Sequence, residues 1–578
     1  IPERSSGMNR ETNAHFSETP TVGIGRSKFD RSFDHKTTFN AGELIPIFFD
    51  AGITPGDTIK MDMAEVVRMM TPITPVMDNA NLDIYFFFVP YRLVWEHLAQ
   101  FFGENDTAPW IQQIEYEIPQ IEAPTGGWTK GSLADHFGWP TLVDHYEGSA
   151  LGFRAYAKIV NDWFIDQNNK NPLYIHNGDA TLTGVDILDA NLDPVTDIEL
   201  GACCFNAAKS HDYFTSCLPG MQKGPAVPLP LGDSAPVIGA PATTGAGTGF
   251  SDDANMTDRN LNFWNQSGVN NFYVDVNGVG TNFKSGGQMS LVTDLSQAVG
   301  ATVSALRQAF AIQRFYEKQA LYGTRYIEFI KGHFQVTNPD FRMQRSEYLG
   351  GTRIPINVNQ VVATNQTQQQ LGGEYVEGTW TWEMTDLAPQ GNTAAYSLTS
   401  SRDNGLFTHS FTEHGIVLGL AVVRLASHTY QQGLNRMWSR KKFLEMYMPE
   451  FANLSNMEVR NKEIFLQGSN VINSDTGKPY DEEVFGYQEA WADYRYFPDI
   501  VTGEMRSNYS QSLDIWHWAD DYSSLPHLSS DWIDEDKTNF ERTLAVQNHD
   551  QFFGDFYFKC IYTRPMPLYS VPGLIDHH

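Results

Sequence analysis

Few residues of this chain stand at spacings that could do chemistry. Gly245, Gly247 and Gly249 make a glycine-rich turn, but the spacing, the preceding strand and the following helix of a phosphate loop are missing. No G-x-S-x-G, H-E-x-x-H or Walker lysine occurs. The neighbours Glu413–His414 and His211–Asp212 do not preassemble an acid–base couple, because adjacent residues on a strand face opposite ways. Cys203, Cys204 and Cys217 with His211 fit no common zinc spacing. The many carboxylates select no pair for glycoside cleavage. These patterns therefore assign no catalytic residue, no metal ligand set and no cofactor. What remains is cationic. Arg10, Arg26, Lys28 and Arg31 lie near the start, and Arg440, Lys441 and Lys442 follow Trp438. Both groups are candidate contacts to nucleic acid or an inner surface; subunit packing competes for the first, and a solvated basic loop for the second.

Composition narrows the classes. The chain has 578 residues, 41% hydrophobic and 19% charged, which is a globular balance. Aromatics reach 13%, favouring β-rich packing and extensive interfaces. With 40 basic and 69 acidic residues the net charge is −29, so nucleic acid cannot be held by the overall field. No apolar run is long enough for a membrane span, and the polar start predicts no signal peptide. The four cysteines read as buried free thiols of a reducing compartment.

The elements that must position these residues start from Asn81–Val89. Leu82, Ile84, Phe86 and Phe88 alternate with Asp83, Tyr85, Phe87 and Val89, so Asp83 is expected on a wet outer side. From Tyr85 onward both faces are apolar, which predicts a central or covered strand. Pro90 ends the ladder. Strands are also predicted at 35–49, from Ile59 onward, over 408–425 (with HGIVLGLAVVRL buried on both faces) and at 555–563. Helices are predicted at 153–164, 295–322 and 326–334, with an ordered loop at 107–140. Residues 1–35 read as an arm, free or draped on a neighbour. The stretch 360–390 is polar and carries no core signal. Residues 232–288 form a Gly-, Asn- and Asp-rich insertion far longer than ordinary loops. Its aromatics Phe263, Trp264, Phe272 and Tyr273 argue against simple disorder, and 272–276 is a candidate strand. Strands at both ends with long connections between them predict an antiparallel sandwich whose loops have grown. Its first and last strands would pair.

Several stretches match a known family in order from Phe16 to the C-terminus. They include HFSETPTVGIGRSKFDRSF, NLDIYFFFVPYRLVWE, HDYFTSCLPGMQKGPAVPLPLG, LRQAFAIQRFYEK, SFTEHGIVLGLAVVR, DEEVFGYQEAWADYRYFP and RPMPLYSVPGLIDHH. The chain resembles the major capsid proteins of the Microviridae, most closely the gokushovirus branch. The resemblance implies a mainly β fold, an eight-stranded antiparallel jelly roll with long insertions containing helices and loops. It implies an arm over 1–35, a capsid domain over 36–578, and an insertion at 232–294 that protrudes at the three-fold axis. It also implies copies of the chain forming a small icosahedral (T=1) virion shell around circular single-stranded DNA, assembled in the bacterial cytoplasm. The implied partners are a small basic DNA-binding protein and a host surface receptor, for which the four insertion aromatics are candidate contacts. The competing reading is a carbohydrate-binding or glycan-cleaving β-sandwich that uses the same aromatics as sugar platforms.

Overall fold

A computed structural model describes residues 25–104, 115–225, 227, 303–323, 325–362 and 393–569. It also describes the backbone of the strands at 237–239, 262–265, 272–276, 279–282, 291–293, 367–376 and 379–388. Eight strands build the central sandwich: β1 Phe33–Phe39, β2 Glu43–Ile53, β3 Thr58–Met69, β4 Ala80–Pro90, β5 Glu347–Pro355, β6 Thr399–Ser410, β7 Gly415–Leu425 and β8 Phe552–Arg564. One sheet runs β1-β8-β3-β6 and the other β5-β4-β7-β2, with every pairing antiparallel. First pairs with last, second with seventh, third with sixth and fourth with fifth. That nested pattern is the strand order of a jelly roll. A short strand, Ser27–Asp30, adds to β8 beside β1.

The β3 sequence shows how the sandwich closes. Ile59, Met61, Met63, Val67 and Met69 are buried, while Lys60, Val66 and Arg68 are exposed, as period-two alternation requires. The buried set meets Leu82, Ile84, Phe86 and Phe88 of β4 and Phe556, Phe558 and Cys560 of β8. Phe86 lies among Phe48, Phe407 and Phe558, with ring centroids 5.5 to 6.2 Å apart. The other face of β4 and β7, with Phe87, Val89, Leu418 and Leu420, packs under helix α1, Leu151–Ile159, and the loop bearing Trp128. The double apolar character of β4 thus has an internal cause: its second face is covered by the chain's own helix. The helix at 153–164 runs as α1 followed by a π turn over Val160–Phe164.

Two readings need correction and a third gains detail. The strand at 35–49 is two strands, because Asn40–Gly42 turns the chain; Gly42 has φ +82°, and a Cβ there would meet Glu535 at 3.0 Å. The polar stretch 360–390 carries strands that its lack of a core signal did not announce. Val358–Val362 pairs with Thr393–Ser397, and Thr367–Val376 pairs with Thr379–Ala388. Thr, Trp and Tyr supply strand propensity there without a core to mark it. Asp83 is not wet: its side chain is 3% exposed, because β5 and β7 place arginines beside it.

The chain divides into two compact units, one of residues 1–221 with 323–578 and the other of residues 222–322. Within the second, Val237–Gly239 pairs with Leu291–Thr293, and α2 spans Val303–Tyr322. The predicted first turns of α2 lie outside the described residues. In the first unit Gly323, with φ +90°, precedes α3, Tyr326–Phe334. Among the described residues no helix is long and apolar enough to cross a membrane.

Candidate functional site

The cations flagged in the sequence fall into distinct surroundings. Arg10 lies outside the described residues. Arg26 and Lys28 are exposed, and Arg26 Nη2 donates a long hydrogen bond, 3.4 Å, to Thr58 Oγ1. Arg31 is engaged: it pairs with Asp50 at 2.5 Å and lies 4.7 Å over the Tyr562 ring. Tyr562 donates to the same carboxylate at 2.6 Å, and Arg564 pairs with buried Asp57 at 3.1 Å. Arg31 therefore ties the arm to the end of β8. On β4, Asp83 accepts from Arg353 of β5 at 2.5 Å and from Arg424 of β7 at 2.6 Å. Desolvation opposes this carboxylate, yet the two guanidiniums hold its pKa below the usual range.

The segment after β7 gathers charge and apolar surface together. Asn435 caps a helical turn, Arg436–Trp438, by accepting from the Met437 N–H at 2.9 Å. Arg436 pairs with Glu463 at 3.6 Å and donates to the Glu458 carbonyl at 2.8 Å. Arg440 pairs with Asp493 and lies 4.2 Å over Tyr494. Lys441 and Lys442 remain exposed. Around them Trp438 is 75% exposed, with Phe443, Leu444, Met446 and Tyr447 also open to solvent. A cavity of about 220 Å³ opens here between Tyr213, Tyr430, Tyr496, Arg436 and Trp438. The sequence exposed the cations but not the partners Glu463 and Asp493, which arrive from distant loops.

Of the insertion, Asn262–Asn265 pairs with Phe272–Val276, which pairs in turn with Val279–Asn282. Phe263, Trp264, Phe272 and Tyr273 share one hairpin, with Trp264 opposite Tyr273 and Asn265 opposite Phe272.

The remaining titratable groups are structural. Glu413 is paired with Arg92 at 2.7 Å, and His414 stacks on Phe102 at 4.6 Å. Asp212 accepts from the Tyr430 hydroxyl at 2.7 Å, so neither adjacent pair forms an acid–base couple. A buried cluster that sequence reading missed joins Lys209, His428, Asp520 and Glu535. His428 lies 3.1 Å from Asp520 and 3.3 Å from Glu535, and Lys209 lies 3.7 Å from Asp520. Burial alone would depress the imidazole, but Glu535 and Asp520 reverse this and hold it at about 10. No local pattern marks residues so far apart in sequence. All four cysteines are free. Burial pushes the Cys203 thiol up to about 11 and Cys560 to about 12, so neither is an activated nucleophile.

Comparison with known proteins gives these surfaces their context. Residues 17–574 match the family model described as "Capsid protein (F protein)". The chain is 42% identical to capsid protein VP1 of Spiroplasma virus 4, over 95% of this chain and 96% of that protein. It is 40% identical to capsid protein VP1 of Bdellovibrio phage phiMH2K over 98% of both chains, and 36% identical to that of Chlamydia phage 1 over 97% of both. These relatives are structural proteins, which sets aside the glycan-cleaving reading. On the strength of this full-length match and the sandwich described above, the chain belongs to the capsid protein (F protein) family of Microviridae-type phages, a structural component of the virion and not an enzyme.

Proposed function

We propose that copies of this chain form a small icosahedral (T=1) shell around circular single-stranded DNA, assembling in the cytoplasm of the host bacterium. The observation that carries the reading is the full-length similarity to capsid proteins, joined to a jelly-roll sandwich whose connections have grown into separate elements. A closed sandwich presents flat sides to neighbours and leaves its loops free for other tasks.

The net charge of −29 excludes holding DNA by the mean field, so local cations must do it. Arg10, Arg26 and Lys28 of the arm are the proposed contacts, with a small basic companion protein supplying more charge. Exposure of Arg26 and Lys28 supports this; Arg31 and Arg440 are committed to carboxylates and are not offered. The insertion 232–294 is proposed as a three-fold protrusion that meets a host receptor, with Phe263, Trp264, Phe272 and Tyr273 as contacts. Its support is an aromatic hairpin inside an otherwise polar, glycine-rich stretch.

Electron microscopy of virus particles tests the reading. The expected image is a uniform shell of one copy per asymmetric unit, with density from the insertion at each three-fold axis and nucleic acid inside. A different lattice, or an insertion lying flat between subunits, overturns it.

A further inference from the structure

The two sheets of the sandwich differ on their outer sides. The sheet β5-β4-β7-β2 is covered by α1 and the loop bearing Trp128. The outer face of β1-β8-β3-β6 is bare. Period two brings alternate residues of each strand to it, and the register sets them in rows. In one row Arg402 of β6, Ala64 of β3, Tyr557 of β8 and Asp34 of β1 stand side by side. Two rows on, Arg68 stands beside Phe553. Phe553 is 39% and Tyr557 43% exposed. They lie four residues apart on β8, roughly 13 Å along an inner strand of the sheet. Ala64, Ser400 and Thr408 around them are small, so the rings stand clear of a flat surface. A shallow depression of about 420 Å³ opens on the same face between Lys36, Thr38, Val66, Arg68 and Phe553.

Cations outnumber carboxylates on this face, in a chain whose net charge is −29. Its carboxylates are all engaged. Asp555 and Asp34 hold Lys36 at 3.3 and 4.0 Å. Asp30 accepts from the Ser32 N–H at 3.0 Å and lies in the field of Lys559. Asp62 accepts from the Gly405 N–H at 2.5 Å and stands opposite Lys559. At the rim Asp550 is paired with Lys130 at 3.0 Å. Exposed Lys60, Arg68 and Arg402 pair with no carboxylate among the described residues. Lys28, opposite Thr563 of β8, continues the face toward Arg26. A protein–protein patch gathers apolar groups at its centre and is depleted in lysine. Here unpaired cations are interleaved with separate rings across an open sheet, which suits the phosphates and stacked bases of a single strand.

We propose that the outer face of β1-β8-β3-β6 binds single-stranded nucleic acid inside the shell, with bases stacked on Phe553 and Tyr557 and phosphates on Lys60, Arg68 and Arg402. The inference rests on the shell reading and goes further. That reading puts the DNA contacts in the arm; this one adds a face of the sandwich itself, continuous with the arm through Lys28.

The test uses particles of the virus that encodes the chain. Ultraviolet irradiation of intact particles, followed by proteolysis and mass spectrometry, is expected to leave nucleotide adducts on Tyr557 or Phe553. Arg68→Glu with Arg402→Glu is expected to lower the ratio of DNA-filled to empty particles by about tenfold, because each reversal replaces a phosphate contact with a repulsion. The milder Arg68→Gln with Arg402→Gln is expected to give a smaller drop, and its filled particles should release DNA at a lower salt concentration than wild type when warmed. Both positions are exposed, so the melting temperature of the protein shell should match wild type in each variant. Unchanged filling and release in both variants overturn the proposal, as do adducts confined to other segments. Loss of all particles from the glutamine variant overturns it too, since the face would then be a contact between copies. Each of these results leaves the shell reading standing, whereas wild-type particles without DNA would end that reading as well.

Discussion

At the scale of single residues, two carboxylates sit where an alternating strand would place apolar groups. Glu65 occupies the inner side of β3 between Met63 and Val67 and is 1% exposed. Burial, with Asp403 of β6 adding repulsion, raises its pKa to about 7, and Ser401 across the strand offsets only part of this. A carboxyl whose folded pKa lies above its unfolded value of 4.5 favours folding below that value, and the contribution is lost as pH rises through 7. Glu65→Gln is therefore expected to stabilise the chain at pH 8 by about 2 kcal/mol and to change little at pH 4.5. Thermal melts at the two pH values check this. Asp83 has the opposite logic, because Arg353 and Arg424 both depend on it. Asp83→Asn removes the charge those guanidiniums share, with an expected loss of about 3 kcal/mol in denaturant titration. The alternation of NLDIYFFFV was legible in the sequence, and the two-faced burial from Tyr85 on followed from it. The fate of Asp83 was not, since a strand's own residues do not name what its neighbours on β5 and β7 bring.

At the scale of elements, β4 and β7 are the inner strands of their sheet, and both faces of each are covered. Phe86→Asp puts a charge among Phe48, Phe407 and Phe558 with no cation facing it, and is expected to abolish soluble expression. Recovery of soluble, assembled mutant would show that this face is not the core. The insertion makes the contrasting case. Removing residues 239–283 is expected to leave folding and shell formation intact while abolishing attachment to the host, measured as particle yield and as cell binding. Elements with a core behind them, β3, β4, β7, β8 and α1, were legible from periodicity. The ribbon after β5 was not, because its signal is strand propensity in a Gln- and Thr-rich context. The turn at Asn40–Gly42 was hidden because the alternation runs on through it.

At the scale of the molecule, the resemblance carried in stretches such as LPLG and LRQAF led to the family, and the full-length comparisons place the chain there. The pairing of surface cations was beyond sequence reading. Arg436 and Arg440 are neutralised by Glu463 and Asp493, which come from distant loops that no local pattern announces.

The nested pairing of the eight strands also sets a timetable for the ribosome. β1 binds β8 with Phe39 opposite Phe552, so the first sheet stays open until more than five hundred further residues have been made. At ordinary bacterial elongation rates that wait is on the order of a minute. During it β3, which bonds β8 along most of its length, presents an unpaired edge to every other nascent copy in the cell. In order of synthesis β4 can pair with β5 before β1 can pair with β8, so closure of the sandwich waits for residues 552–564. A virus that makes this protein in abundance therefore exposes many unclosed edges at once, and slowing translation between the codons of β7 and those of β8 should raise the aggregated fraction before it lowers the amount synthesised.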